Sequence, residues 1–180
     1  MGPSLAELFR DWHDFYVLVG TASATLVGLM FVAVSIGTAI FNEDHSAALA
    51  AFITPTVTHF AAALFTCLLV TIPTQSWYTL GALLGAGALA GSIYCGGLAV
   101  QIIINHRFDV DRIDRLFYAL LPLAGYLLGL IAAVLLDMQA SSSANLIAAA
   151  VMTLLLAAIR NAWDMMVWIV IKTPGGIPPP

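Results

Sequence analysis

Residues 20–41 read GTASATLVGLMFVAVSIGTAIF and carry no charged side chain. A helix needs about 20 predominantly apolar residues to cross a bilayer, and this run supplies them. The same character returns along the chain, so that segments 15–41, 50–73, 77–104, 116–136 and 145–171 all qualify as spans. Overall 61% of residues are hydrophobic, 9% are charged and the mean hydropathy is +0.98. Soluble domains carry about 25% charged residues. A water-soluble globule of 180 residues could not hide this much apolar surface. The runs are continuously apolar rather than alternating, which argues against a β-barrel. The expected fold is all-α: a polytopic membrane protein with five transmembrane helices.

Residues 1–14 differ from the rest of the chain. Leu5, Leu8, Phe9 and Trp12 fall at the spacing of one helix face, with Glu7, Asp11 and Asp14 on the opposite face. A short amphipathic helix lying at the membrane interface is expected there. In a symmetric oligomer the same carboxylates would form an outer vestibule that concentrates cations. The opening MGPSLAELFRDWHDF has neither a basic n-region nor a short apolar h-region, so the first span itself is expected to direct insertion. The membrane domain then occupies 15–172. Its connections are an acidic turn (Asn42, Glu43, Asp44, His45), a tight turn after Pro73, an arginine-bearing loop over 105–115 and a Ser-rich turn over Gln139–Ser143. The tail 173–180, TPGGIPPP, cannot continue a helix and is expected to be disordered.

An odd number of spans puts the termini on opposite sides. Arg107, Arg112, Arg115 and Lys172 gather on one side and Arg10 stands on the other. The positive-inside rule then predicts a cytoplasmic C-terminus and an outer N-terminus. Trp12 and Trp77 fall at the outer boundary, and Trp163 and Trp168 near the inner one. Spans 1, 3 and 5 are about 27 residues, or roughly 40 Å, against a hydrocarbon core of about 30 Å. Tilt absorbs part of that excess; the rest suggests apolar helix ends buried in a bundle or oligomer.

Helices associate in lipid through small residues that let backbones approach. Gly20, Ala24 and Gly28 form such a ridge in span 1, beside Thr21 and Thr25. Span 3 carries Gly81 with Gly85, Gly87 with Gly91 and Cys95, and Ser92 with Gly96, which reads as a helix surrounded by protein. Thr21, Thr25 and, more distantly, Ser35 could replace part of an ion's hydration shell. The competing reading is that these hydroxyls bond their own backbone. Cys67 and Cys95 fall at different depths, so they are expected to pack as small apolar side chains rather than pair.

Two places carry ionisable groups within apolar runs, where such groups are candidates for function. His59 lies in ITPTVTHFAAALF, just after Pro55 and among Thr54, Thr56 and Thr58. It is a candidate for permeation or proton sensing, or else a satisfied core histidine. In Ala157–Ile171, Arg160, Asn161 and Asp164 fall within about 100° on a helical wheel. Arg160 and Asp164 are an i, i+4 pair, so the helix can neutralise its own charge. Counting at 1.5 Å per residue puts Arg160 roughly 22 Å and His59 roughly 21 Å below the outer ends of their spans. They could share one polar layer in the inner leaflet; alternatively Arg160 snorkels to the boundary with Asp164 in water.

Enzyme signatures are missing. There is no cluster at zinc spacing, no phosphate-binding Gly loop followed by Lys-Ser/Thr and no GxSxG elbow. HRFDVDRIDR (106–115) alternates Asp109, Asp111 and Asp114 with Arg107, Arg112 and Arg115, without the ligand spacing of an EF-hand, and reads as a salt-bridged turn. No enzyme activity, metal or cofactor is expected. A net charge of −4 and a pI near 5.3 leave no basic patch for nucleic acid. The pairing of WHDFYVLVGTASATLVGLMFVAVS (12–35) with IRNAWDMMVW (159–168) resembles small bacterial integral membrane proteins with no assigned activity. The resemblance implies a bacterial inner membrane and transfers no functional residues. The functional expectation is a homo-oligomeric channel for small inorganic cations, with the lipid bilayer, its own copies and the ions as partners. A non-conducting accessory or assembly protein and an anion-conducting pore are the alternatives.

Overall fold

Ser4 starts the first helix with a reciprocal cap. Its hydroxyl accepts from the Glu7 N–H at 3.2 Å, while the Glu7 carboxylate accepts from the Ser4 N–H at 2.8 Å. The computed structural model describes residues 4–40, 43–73, 75–104 and 116–172, with side chains over 4–36, 54–73, 75–100 and 117–167. Helix α1 spans only Leu5–Arg10, and a turn at Asp11 and Trp12 separates it from α2, His13–Ile40. The amphipathic segment is thus two pieces rather than one helix over 1–14. Its faces are as expected: Phe9 is buried, Leu5, Leu8 and Trp12 are half-buried, and Glu7, Asp11 and Asp14 are exposed. Phe9 and Phe15 meet the ring of Tyr16 edge-on, with centroids 5.9 and 5.1 Å away, and lock the turn onto α2.

Four further long helices complete the chain: α3 (Glu43–Thr71), α4 (Trp77–Ile104), α5 (Leu121–Asp137, entered through a π-helical turn at Leu116–Leu120) and α6 (Ser143–Lys172). The described residues form no strand. Five helices, α2 to α6, are long and apolar enough to cross a membrane. Helix α3 begins at Glu43, so Glu43, Asp44 and His45 form its first turn instead of a connecting turn. The loop over 105–115 and the tail over 173–180 lie outside the described residues, as do the side chains of Lys172 and Trp168.

The outside is apolar, and the interior combines many alanines with large side chains such as Phe60, Leu136 and Ile147. Leu18, Phe31, Phe65, Ile93 and Leu156 face outward, whereas Ala63, Ala132, Ala144, Ala157 and Ala158 lie in the interior. Lipid gives large apolar side chains no reason to turn inward, so what the interior selects is closeness. The helices contact one another in the spatial order α2, α3, α6, α5, α4, each packed chiefly on its neighbours in that row. The α4–α5 seam is antiparallel and built on glycine. A Cβ on Gly85 would sit 3.3 Å from that of Ala133, and one on Gly129 would sit 3.2 Å from that of Ala88. At Gly91 a Cβ would fall within the ring of Tyr126. Among the described residues, Gly87, Gly96 and Gly97 meet nothing within 4 Å, so the contacts of α4 concentrate on the side facing α5. In span 1, Gly20 packs on Cys67 of α3, while Gly28 faces open space. Cys67 and Cys95 are buried and free.

These contacts separate glycines that spacing alone groups together. Gly91→Ala should destabilise the chain by about 1–3 kcal/mol through overpacking against Tyr126. Gly28→Ala should stay within about 0.5 kcal/mol of the parent. Thermal unfolding of the detergent-solubilised single chain distinguishes the two; equal effects would refute the α4–α5 seam.

Candidate functional site

The polar groups fall into three sets: one in the interior, one on the outer face of α2 and one around α1. The interior set centres on His59, which is fully buried on α3. Its Nδ1 lies 3.0 Å from the Tyr126 hydroxyl of α5. Its Nε2 is buried and has no hydrogen-bond partner among the described residues. Cys95 and Leu154 form a buried cluster with Tyr126. Tyr126 is not among the candidates that polarity in the sequence singles out, yet a signal is there. Between Leu121 and Leu136 it is the one side chain with a polar group.

Asn161, also fully buried, donates from Nδ2 to the Phe117 carbonyl at 3.4 Å. The local backbone explains why that carbonyl needs a side-chain donor. In the π-helical register the N–H that would reach Phe117 belongs to residue 122, which is proline and has none. Beside Asn161 on α6, Arg160 pairs with Asp164 one turn further on, and its guanidinium lies 5.7 Å from the centroid of the Phe117 ring. Both members of the ion pair are partly exposed, with side-chain accessibilities of 34% and 26%. Asn161, Arg160 and Asp164 therefore clamp the start of α5 onto α6. Phe60 shares a groove with Ile159 and Ala162, which sets His59 beside this stretch of α6. The hydrogen bond of His59 goes to Tyr126 and not to the Arg160–Asp164 pair.

The outer set is a single stripe. Asp14, Thr21, Gly28 and Ser35 recur every seven residues along α2, and Leu18, Thr25 and Val32 interleave with them; all seven are exposed. This is the a/d spacing that coiled-coil seams use. From Asp14 to Ser35 the stripe is roughly 32 Å long, close to the hydrocarbon thickness of about 30 Å. The three hydroxyls donate to their own helix: Thr21 to Val17 O at 2.8 Å, Thr25 to Thr21 O at 2.9 Å and Ser35 to Phe31 O at 2.8 Å. With the proton so committed, the Thr21 and Thr25 oxygens offer only lone pairs to whatever lies outside.

Around α1, Glu7 is held in the Ser4 cap, Asp11 is the C-cap of α1, and Asp14 accepts from His13 Nδ1 at 3.3 Å. The Ser4 backbone N–H, and after it the Ser4 hydroxyl, hold the Glu7 carboxyl below its usual value of 4.5. No group of three or more metal-ligating side chains occurs among the described residues. The chain matches no family model, no curated protein and no solved structure.

Both the cap and the buried pair can be tested. A depressed carboxylate stabilises its helix above the unfolded pKa and loses that contribution as the pH falls through the folded one. An NMR titration should place the Glu7 midpoint below 4.5, with the helicity of α1 fading as the pH drops through it. Separately, Tyr126→Phe should cost about 0.6 kcal/mol and at most about 1.7, the range for hydrogen bonds between membrane helices. Adding His59→Phe to Tyr126→Phe should cost less than the sum of the single changes. Additive unfolding energies would mean the two rings do not act as a pair.

Proposed function

We propose that the chain is a homo-oligomeric membrane channel for small inorganic cations, assembled around the outer face of α2. The observation that carries this reading is the exposed seven-residue stripe of Asp14, Thr21, Gly28 and Ser35. A seam of that period drives several copies of one helix to wrap about a common axis. Lined by Thr21, Thr25 and Ser35, the axis would present oxygen lone pairs, which suit a cation better than an anion. Asp14 stands at its mouth, with Asp11 and Glu7 beside it as the outer acidic vestibule. Arg160 would oppose cations, but Asp164 neutralises it within the same helix.

In this reading His59 and Asn161 belong to the packing of each subunit, and the ion path runs between subunits. The chain sits in a bacterial inner membrane with its N-terminus outside and its C-terminus in the cytoplasm. That orientation rests on the distribution of arginines and lysine and on the positive-inside rule. A second reading, a non-conducting accessory or assembly protein, is favoured by the hydrogen bonds through which His59 and Asn161 tie α3, α5 and α6 together. An anion pore would require the Arg160 charge to be released from Asp164.

Reconstitution in liposomes tests these readings. Cation flux above empty vesicles is expected, and Thr21→Val with Thr25→Val should lower it by about tenfold, the effect of about 1.4 kcal/mol at the limiting barrier. Asp14→Asn should weaken cation selectivity. Asp164→Asn should leave selectivity unchanged if the path follows α2. Absence of flux across pH and voltage would favour the accessory reading, and a shift toward anions in Asp164→Asn would place the path at α6.

A further inference from the structure

Where α1 folds over the ends of three spans, it leaves a cleft of about 680 Å³. That volume lies within the range of about 300–1,000 Å³ typical of small-molecule sites. The cleft stands at a membrane boundary, because the spans of α2 and α4 begin at His13 and Trp77 and that of α3 ends at Thr71. Its wall is layered. Phe9, Tyr16, Val70 and Leu80 are buried and apolar, while Arg10, His13, Asp14 and Gln75 supply polar groups.

Three of those polar groups are left wanting a partner of definite chemistry. Glu7 stands one turn before Arg10 and is its natural partner, but the Ser4 cap holds the Glu7 carboxylate. Arg10 acts on the Glu7 carboxylate through its charge but makes no direct ion pair among the described residues, so its guanidinium can still receive a phosphate. Gln75 donates from Nε2 to the Leu69 carbonyl at 3.2 Å, and since a carbonyl only accepts, this fixes which way the amide points. Its Oε1 is buried and has no donor among the described residues. Asp14 is fully exposed and bonds only to its neighbour His13.

We propose that this cleft holds one phospholipid with an ethanolamine headgroup, its phosphate on Arg10, its ammonium shared between Gln75 Oε1 and Asp14, and its glycerol and upper acyl chain against Phe9, Val70 and Leu80. A choline headgroup has no N–H to offer Gln75. A phosphatidylglycerol headgroup has no cation for Asp14 and brings a net negative charge to the exposed face that bears Glu7, Asp11 and Asp14. The site shares Asp14 with the α2 stripe but requires neither oligomerisation nor ion conduction, so lipid retention and ion flux can fail separately.

The test is native mass spectrometry of the full chain, delipidated in detergent and then offered phosphatidylethanolamine, phosphatidylcholine or phosphatidylglycerol of identical acyl chains. One phosphatidylethanolamine per chain should be retained, about tenfold more tightly than either competitor, the factor that one unmet buried acceptor carries. Gln75→Leu should remove that preference, whereas Arg10→Gln should weaken retention of all three lipids alike and Arg10→Lys should keep most of it; circular dichroism confirms that each variant remains helical. Equal retention of all three lipids by the parent chain, which needs no variant, would overturn the proposal. Tighter binding of phosphatidylglycerol would overturn it too. Competition by soluble glycerophosphoethanolamine as strong as by the whole lipid would overturn the acyl contact.

Discussion

How closely the backbones of α5 and α6 approach their neighbours governs the rest of the molecule. In lipid, burying a leucine gains little over leaving it among acyl chains, so attraction between helices comes from near contact and from hydrogen bonds. Alanines and glycines make that contact at Ala132, Ala133, Gly129 and Gly125 on α5, and at Ala144, Ala150, Ala157 and Ala158 on α6. Large side chains such as Leu127, Ile131, Val134 and Leu156 are displaced to the outside. The chain's hydropathy is therefore carried by its surface as well as by its core.

Close approach also creates the interior polar site. Once Pro122 denies the Phe117 carbonyl its backbone donor, a side chain from the adjoining helix must supply one, and Asn161 stands in reach. His59 and Tyr126 meet because a glycine at 91 leaves room for the tyrosine ring. The same glycine would be read as a lipid-facing or inter-subunit contact if only its spacing from Gly87 were considered. Polar groups in this bundle follow from backbone geometry and cavity shape, and their positions are not free to drift along the helix.

The spans were legible because a run of twenty apolar residues has few alternatives, and all five helices fall within a few residues of the expected limits apart from the start of α3. That start is open to misreading because charge at Glu43 and Asp44 signals a turn and a helix N-terminus equally well. His59, Arg160, Asn161 and Asp164 stood out as polar groups in apolar surroundings, but their partners did not. Tyr126 is grouped with the hydrophobic residues in the composition, and the Phe117 carbonyl has no residue type at all. The heptad spacing of Asp14, Thr21, Gly28 and Ser35 was present in the sequence too. It acquired meaning only once burial showed that the entire stripe faces away from the chain.

The row α2, α3, α6, α5, α4 has a consequence for how the protein comes into being. Two hairpins, α2 with α3 and α4 with α5, are made of helices adjacent in sequence, and α3 touches α4 only slightly. Helix α6 lies between the hairpins and packs on both. It is also the last of the five spans to leave the ribosome. Until it inserts, the nascent chain is two loosely associated hairpins, with His59 and Phe117 still open to whatever else the membrane contains. The fifth span joins the halves, so the interior becomes a single site only when that helix arrives.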